Sequence, residues 1–465
     1  MTETADDLAV LAAAARHAIA YRDAVTDAVR TPVADYAAML AAFAAPTPEH
    51  GGEAGEILEE LVRLATPGIR ASTGRRFFGW VIGGSHPTGV AADWLTSVWG
   101  QNGGNLVAAP AASAVEAVAA GWLLDLLQLP AEASVGLVTG ATVANFVCLA
   151  AARSEVLRRV GWDVEADGLF GAPPVRVLIG DDAHATVYSG LKYLGLGARR
   201  VTTVETDDLG RMLPAAFERA LKAGDSPVIA ITQAGQINTG ASDRFAVLAP
   251  LARDAGAWLH VDGAFGLWAQ AAPARAAQTA GVELADSWAV DGHKWLQTPY
   301  DCGFAVVRDA EAHRRAMAIS ASYLPPAEGA ERDPSAYVPE LSRRARGFAT
   351  WAMIRQFGRA GIAEMVERCC TLAARMANAI AAEAGAELVA PVGLNQFMIR
   401  FGATDAATQA VIQAVQDDAV AFIGGAQWRG HWVMRVSVTS AATTETAADE
   451  TVASVIRAWR GVQRG

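Results

Sequence analysis

The chain has 465 residues, 52% of them hydrophobic and 19% charged, with 38 Lys and Arg set against 49 Asp and Glu for a net charge of −11. That composition is globular, offers ample material for a core, and at this length suggests two or three domains. An acidic chain without a basic block argues against nucleic acid or an anionic membrane as partner.

Residues 1–75 read as an N-terminal helical segment. Leu8–Ala20 and Tyr36–Ala44 are alanine-rich and favour helix by propensity. Pro46 and Pro48 punctuate them, and Ile57–Leu64 continues the pattern. The acidic start, Met1-Thr2-Glu3, lacks the basic-then-apolar pattern of a signal peptide. No uninterrupted apolar run of about 20 residues occurs, so no membrane span is predicted. The four cysteines, Cys148, Cys302, Cys369 and Cys370, sit in apolar surroundings and form no C-x-x-C pair. They read as structural thiols of a reducing, cytoplasmic protein. No metal is assigned.

Residues 76–344 read as a large α/β domain. It opens with aromatics and amides, from Phe77-Phe78-Gly79-Trp80 to Trp99-Gly100-Gln101-Asn102. These residues are either core aromatics with a polar loop or the wall of a pocket. After the apolar helix Val115–Leu127, a βα rhythm sets in. Strands are expected at Val135–Val138, Val175–Ile179, Arg199–Val204, Val228–Thr232, Trp258–Val261, Ser287–Val290 and Phe304–Val307. Helical stretches separate several of them. Short apolar strands alternating with helices predict a mostly parallel sheet covered on both faces, with ligands gathered at the strand C-terminal ends. Residues 312–342, broken by prolines and rich in charge, read as a long loop. Residues 345–465 read as a small C-terminal α+β domain: a long helix through Ile362–Ala384, then strands Asn395–Phe401 and Trp432–Val438 with further helices.

Four features fall in the βα turns. Lys294, in Asp291-Gly292-His293-Lys294-Trp295, lies between two apolar strands. A lysine there snorkels to the surface or loses its charge, for instance by forming an imine with a carbonyl cofactor. Asp262 ends the strand His260-Val261-Asp262 and needs a partner, either a protonated ring nitrogen or a backbone turn. Thr139-Gly140-Ala141-Thr142 joins a strand to a helix and suits a phosphate or a simple N-cap. No Gly-Lys-Ser/Thr follows, which weakens a nucleotide-triphosphate reading. His184 follows a strand and can stack on a flat ring or serve structure alone. A phosphate cradle, a planar stacker, a carboxylate and a buried lysine on one sheet are together what a pyridoxal phosphate site needs.

On these blocks the chain resembles the group II pyridoxal-phosphate-dependent amino-acid decarboxylases, the branch with the aromatic-L-amino-acid, histidine and glutamate decarboxylases. The resemblance rests on Ala285-Asp286-Ser287 with Asp291-x-His293-Lys294-Trp295, and on His260-Val261-Asp262-x-Ala264-Phe265-Gly266. It runs from about Phe77 to Trp459. It implies a fold-type I, aspartate-aminotransferase-like α/β architecture and a homodimer. It further implies Lys294 as the imine lysine, Asp262 at the pyridine nitrogen, His184 on the ring, and Ala264 beneath it. Ala141, Thr142 and His293 would lie at the phosphate, Asp291 would be a further cofactor-binding residue, and Trp80 and Trp99 would lie near the substrate side chain, Trp99 from the neighbouring subunit.

The chain departs from that pattern at three points. Asp291 stands where the animal amine decarboxylases have Asn. Near Ile237, where those enzymes have Thr, Asn238 or Thr239 takes the place. The mobile-loop Tyr that protonates Cα has only Tyr323 and Tyr337 as counterparts, with Tyr337 the closer. In members that lack this Tyr, the product shifts to an aldehyde formed with oxygen. The expectation is decarboxylation of an L-amino acid, possibly aromatic, to the amine. An aldehyde-forming deaminase, a carbon–carbon lyase and an aminotransferase are the alternatives, with a non-catalytic regulatory homologue more remote.

Overall fold

Seven short apolar segments form one sheet: β1 (Ser134–Val138), β2 (Arg176–Gly180), β3 (Val201–Val204), β4 (Val228–Gln233), β5 (Trp258–Asp262), β6 (Ser287–Asp291) and β7 (Gly303–Val307). The computed structural model describes residues 5–26, 32–319 and 332–464. The strand order is β1-β7-β6-β5-β4-β2-β3. β7 runs antiparallel to both of its neighbours, and the other pairs are parallel. The link 292–302 is too short for a crossover helix, so β6 and β7 must lie antiparallel.

Every residue of β1, β4, β5, β6 and β7 is buried. Successive side chains point to opposite faces. Leu259, Val261, Trp288, Val290, Phe304 and Val306 enter one core, and Trp258, Ala289, Ala305 and Val307 the other. Both faces are therefore apolar, which explains the continuous rather than alternating hydrophobicity of these segments. Helix Ala141–Arg158 covers the second face, and residues of Pro110–Leu126, Phe245–Asp254 and Gly347–Ala381 cover the first.

The second sheet is antiparallel, with β8 (Ala386–Leu388), β9 (Gln396–Phe401), β10 (Gly424–Trp428) and β11 (His431–Ser437) in the order β10-β11-β9-β8. Helices Asp405–Asp418 and Glu445–Val462 pack beside it. Strands β8 and β10 are absent from the sequence expectation. One has three residues, and the other, Gly-Gly-Ala-Gln-Trp, carries no β-branched side chain.

Three further expectations change. The aromatic and amide stretch is helical over Pro87–Val98. Phe77 and Phe78, read as the opening of the large domain, bond to the small one: Phe78 N–H donates to Phe422 O at 2.8 Å, and Ser437 N–H to Phe78 O at 3.1 Å. The stretch expected as loop from 312 is helical over Ala310–Met317, capped by Asp309, and Pro334–Tyr337 makes a 3-10 turn. The long helix Gly347–Ala381 breaks at Gly358, whose φ of 60° suits glycine.

The exposed rim of β1 is closed by arginines. Arg343 donates to Leu137 O at 3.1 Å and pairs with Glu116 at 2.7 Å. Arg332 donates to Val135 O and approaches the same carboxylate. An edge strand satisfied by guanidinium groups has no carbonyls left to recruit another chain.

Candidate active site

β4, β5 and β6 end in Gln233, Asp262 and Asp291, and antiparallel β7 begins at the same edge. The expected residues gather there. Asp291 is buried, and Lys294 follows it on a turn. Lys294 Nζ lies 2.8 Å from Asp291 Oδ2, and 5.9 Å from the Phe265 ring centre. Asp291 Oδ1 accepts the N–H of Ala141 at 2.6 Å, the first residue of helix Ala141–Arg158. His293 Nε2 lies 3.4 Å from the same oxygen, and its Nδ1 accepts Cys302 N–H at 3.3 Å, which sets the proton on Nε2. Burial lowers the His293 pKa, against the pull of Asp291. The Tyr300 ring lies over His293 at 4.3 Å. A Cβ on Gly140 would sit 3.0 Å from His293 and 3.2 Å from Asp291, so only glycine leaves this approach open. Thr142 follows in the first helical turn.

Asp262 is buried and makes hydrogen bonds from Ala264 N–H at 3.2 Å and Asn145 Nδ2 at 3.3 Å. Burial raises its pKa, while His184 and Lys294 draw it down. The Asn145 amide is oriented in turn. His260 Nε2 lies 2.8 Å from Asn145 Oδ1, and His260 Nδ1 2.9 Å from Ser287 Oγ, which accepts the Trp258 indole N–H at 2.9 Å. Burial holds the His260 pKa down at about 3, so the ring is neutral. One proton arrangement fits: indole to hydroxyl, hydroxyl to Nδ1, Nε2–H to amide oxygen, amide N–H to carboxylate. Every donor points toward Asp262.

His184 caps helix Ala185–Tyr193, accepting Thr186 N–H at 3.3 Å. It sits at the open mouth of the site, where crowding by neighbouring atoms still lowers its pKa; Asp262, Lys294, Arg435 and Asp291 all act on it. Asn238 is buried beside Arg435, whose Nη1 reaches its Oδ1 at 3.4 Å. Arg435 is the group the sequence could not assign. Burial lowers its pKa, and among the described residues it has no carboxylate partner. Asn145 and Gln297 were also missed. Gln297 Oε1 accepts Gly84 N–H at 2.8 Å and Ala441 N–H at 3.1 Å, while its Nε2 donates to Lys294 O and Thr439 O, both at 2.8 Å.

Three expected residues lie apart. Trp80 is exposed and stacks on Phe422 at 5.5 Å, three residues before Gly83 bonds to His293 O. Trp99 is exposed and meets Phe348 edge-on. Tyr337 was expected in the catalytic set. Its ring packs on His313, which bonds Ser134 at the opposite end of β1, and Arg332 lies over it at 4.5 Å. The edge contacts of β1 hold it there, away from Lys294. Tyr323 lies outside the described residues.

Residues 37–401 match the pyridoxal-dependent decarboxylase conserved domain. An aromatic-L-amino-acid decarboxylase of Bacillus atrophaeus is 28% identical over 375 residues, covering 79% of this chain and 76% of that protein. A 4-hydroxyphenylacetaldehyde synthase of Rhodiola rosea is 26% identical over 422 residues, covering 86% and 84%. The fold of Oryza sativa TDC, solved with PLP and tryptamine, superposes with a TM-score of 0.92 at 23% identity over 99% of both chains.

Fold and cofactor class together define a fold-type I, pyridoxal-phosphate-dependent enzyme. The chain belongs to the pyridoxal-dependent decarboxylase family, and its reaction is decarboxylation of an amino acid. The residues present fit that cofactor. A helix N-terminus beside a glycine that leaves space suits a phosphate, and a buried strand-end carboxylate suits a protonated ring nitrogen.

Proposed function

We propose that this enzyme is a cytoplasmic homodimer that decarboxylates an aromatic L-amino acid to its amine. The observation that carries the site assignment is the convergence of Lys294, Asp262, His184 and Arg435 on one strand edge. The names of the curated relatives support an aromatic substrate. The exposed Trp80 and Trp99 suit an aromatic side chain or a partner subunit. Among the described residues, no helix is long and apolar enough to cross a membrane.

When bound, pyridoxal phosphate supplies an aldehyde that condenses with amines and a ring that withdraws electrons from Cα. Lys294 would hold the aldehyde carbon. Asp291, 2.8 Å away, is the nearest acceptor for the ammonium proton that Lys294 must shed to act as a nucleophile. Ala141 N–H, Thr142 and His293 would hold the phosphate, and Ala264 would lie under the ring. Asp262 is buried and, among the described residues, makes no ion pair within 4 Å, so a protonated ring nitrogen would be its natural partner. With its pKa lowered by burial, His184 would meet the other ring face as a neutral imidazole. Arg435, steadied by Asn238, orients the substrate carboxylate.

A second reading, aldehyde formation with oxygen, is favoured by one observation. Tyr337 packs against His313 at the end of β1 remote from the Lys294 turn, and one relative is an aldehyde synthase. The test is mass spectrometry of products from cofactor-loaded protein and a pool of L-amino acids under air, with Lys294→Ala as control. An amine formed by wild type and lost in the control supports the first reading. An aldehyde with consumed oxygen selects the second. Equal turnover in Lys294→Ala would refute both.

A further inference from the structure

We propose that Asp291 competes with the cofactor's phosphate for its own binding site and thereby sets how tightly the phosphorylated cofactor is held. The proposal rests on reading Ala141, Thr142 and His293 as the phosphate site. One buried carboxylate here engages three groups that the cofactor needs. Oδ1 takes the Ala141 N–H at 2.6 Å, His293 Nε2 lies 3.4 Å from that oxygen, and Oδ2 holds Lys294 Nζ at 2.8 Å. The first two belong to the phosphate and the third to the aldehyde.

A carboxylate is an unusual lining for a dianion. Like charges at contact distance in a water-poor site repel strongly. The helix N-terminus favours either anion, so Asp291 and the phosphate contend for the same N–H. Lys294 is the cation that offsets Asp291, and the aldehyde claims its nitrogen. The other charges at this edge do not stand in for it: Asp262 and Asp301 are acidic, and Arg435 is committed to the Asn238 side. An asparagine of the same shape would accept the Ala141 N–H and turn an N–H donor toward the phosphate. A plain alternative is that Asp291 only steadies Lys294. That role would affect any aldehyde equally, with or without a phosphate.

Pyridoxal, which lacks the phosphate, separates the two. Cofactor-stripped wild type, Asp291→Asn and Asp291→Ser would each be titrated with pyridoxal phosphate and with pyridoxal, following the quenching of tryptophan fluorescence. The expected result is that the ratio Kd(pyridoxal)/Kd(pyridoxal phosphate) rises about tenfold or more in Asp291→Asn, because only one ligand meets the lost charge. Asp291→Ser should shift it in the same direction, and it carries the test if the asparagine variant does not fold. An unchanged or lower ratio in the folded variants overturns the competition. A ratio near one in wild type and in both folded variants would overturn the phosphate-site reading itself, and the proposal with it.

Discussion

Asn145→Leu removes the amide at the centre of the chain that ends on Asp262. Asn145 is fully buried. The change leaves His260 Nε2–H without its acceptor at 2.8 Å and Asp262 Oδ2 without its donor at 3.3 Å. Two orphaned buried groups cost about 2–6 kcal/mol together. Leucine returns about 1–2 kcal/mol by apolar transfer, so the expected net loss spans about 0–5 kcal/mol, with a central value of about 2.5 kcal/mol. The pH dependence has a definite sign. Burial has already raised the Asp262 pKa, and loss of a donor raises it further. The penalty falls on the ionised carboxylate, so it is largest at neutral pH and shrinks on acidification as Asp262 takes a proton. Urea unfolding with and without pyridoxal phosphate reads both effects, because the stability added by ligand reports its affinity. The variant should unfold earlier and bind cofactor about tenfold more weakly, the equivalent of about 1.4 kcal/mol. A wild-type urea midpoint together with a wild-type cofactor Kd would refute a positioning role for Asn145.

Arg435→Met should raise KM for the amino acid about tenfold to a hundredfold while kcat stays within about threefold, as loss of ground-state carboxylate binding requires. A steady-state kinetic series that showed the reverse split would place Arg435 in the chemical step. His313 is neutral in the fold, its pKa held at about 3 by burial, whereas the unfolded chain takes that proton near pH 6.5. Its contribution to stability is complete above pH 6.5 and is lost as pH falls toward 3, at up to about 1.4 kcal/mol per pH unit. His313→Leu should therefore flatten the acid limb of a stability–pH curve, and an equally steep limb would count against the assignment.

The sheet was legible because both of its faces are covered. Val228–Thr232, Ser287–Val290 and Phe304–Val307 are continuous apolar runs that fit little else. Lys294, Asp262, Thr142 and His184 were legible because strand ends concentrate chemistry, and their neighbours form recognisable blocks. Arg435 was visible as a residue but not as a member of this cluster. Its approach to Asn238 depends on how the small sheet docks, which no local pattern encodes. Asn145 reads as an ordinary polar position in an alanine-rich helix until His260 and Asp262 are placed around it. The placement of Tyr337 is likewise tertiary: Arg332 and Arg343 bond to the edge of β1 and hold the segment between them along that strand.

Gln297 reaches residues distant in the chain. Its side chain joins Gly84, the Lys294 carbonyl, Thr439 and Ala441. The lysine turn is thus clasped by segments translated early, midway and late. During synthesis the ribosome releases residue 294 well before residue 441, so the turn stays unclasped for that interval. The lysine turn therefore gains its full set of contacts only once residue 441 is in place.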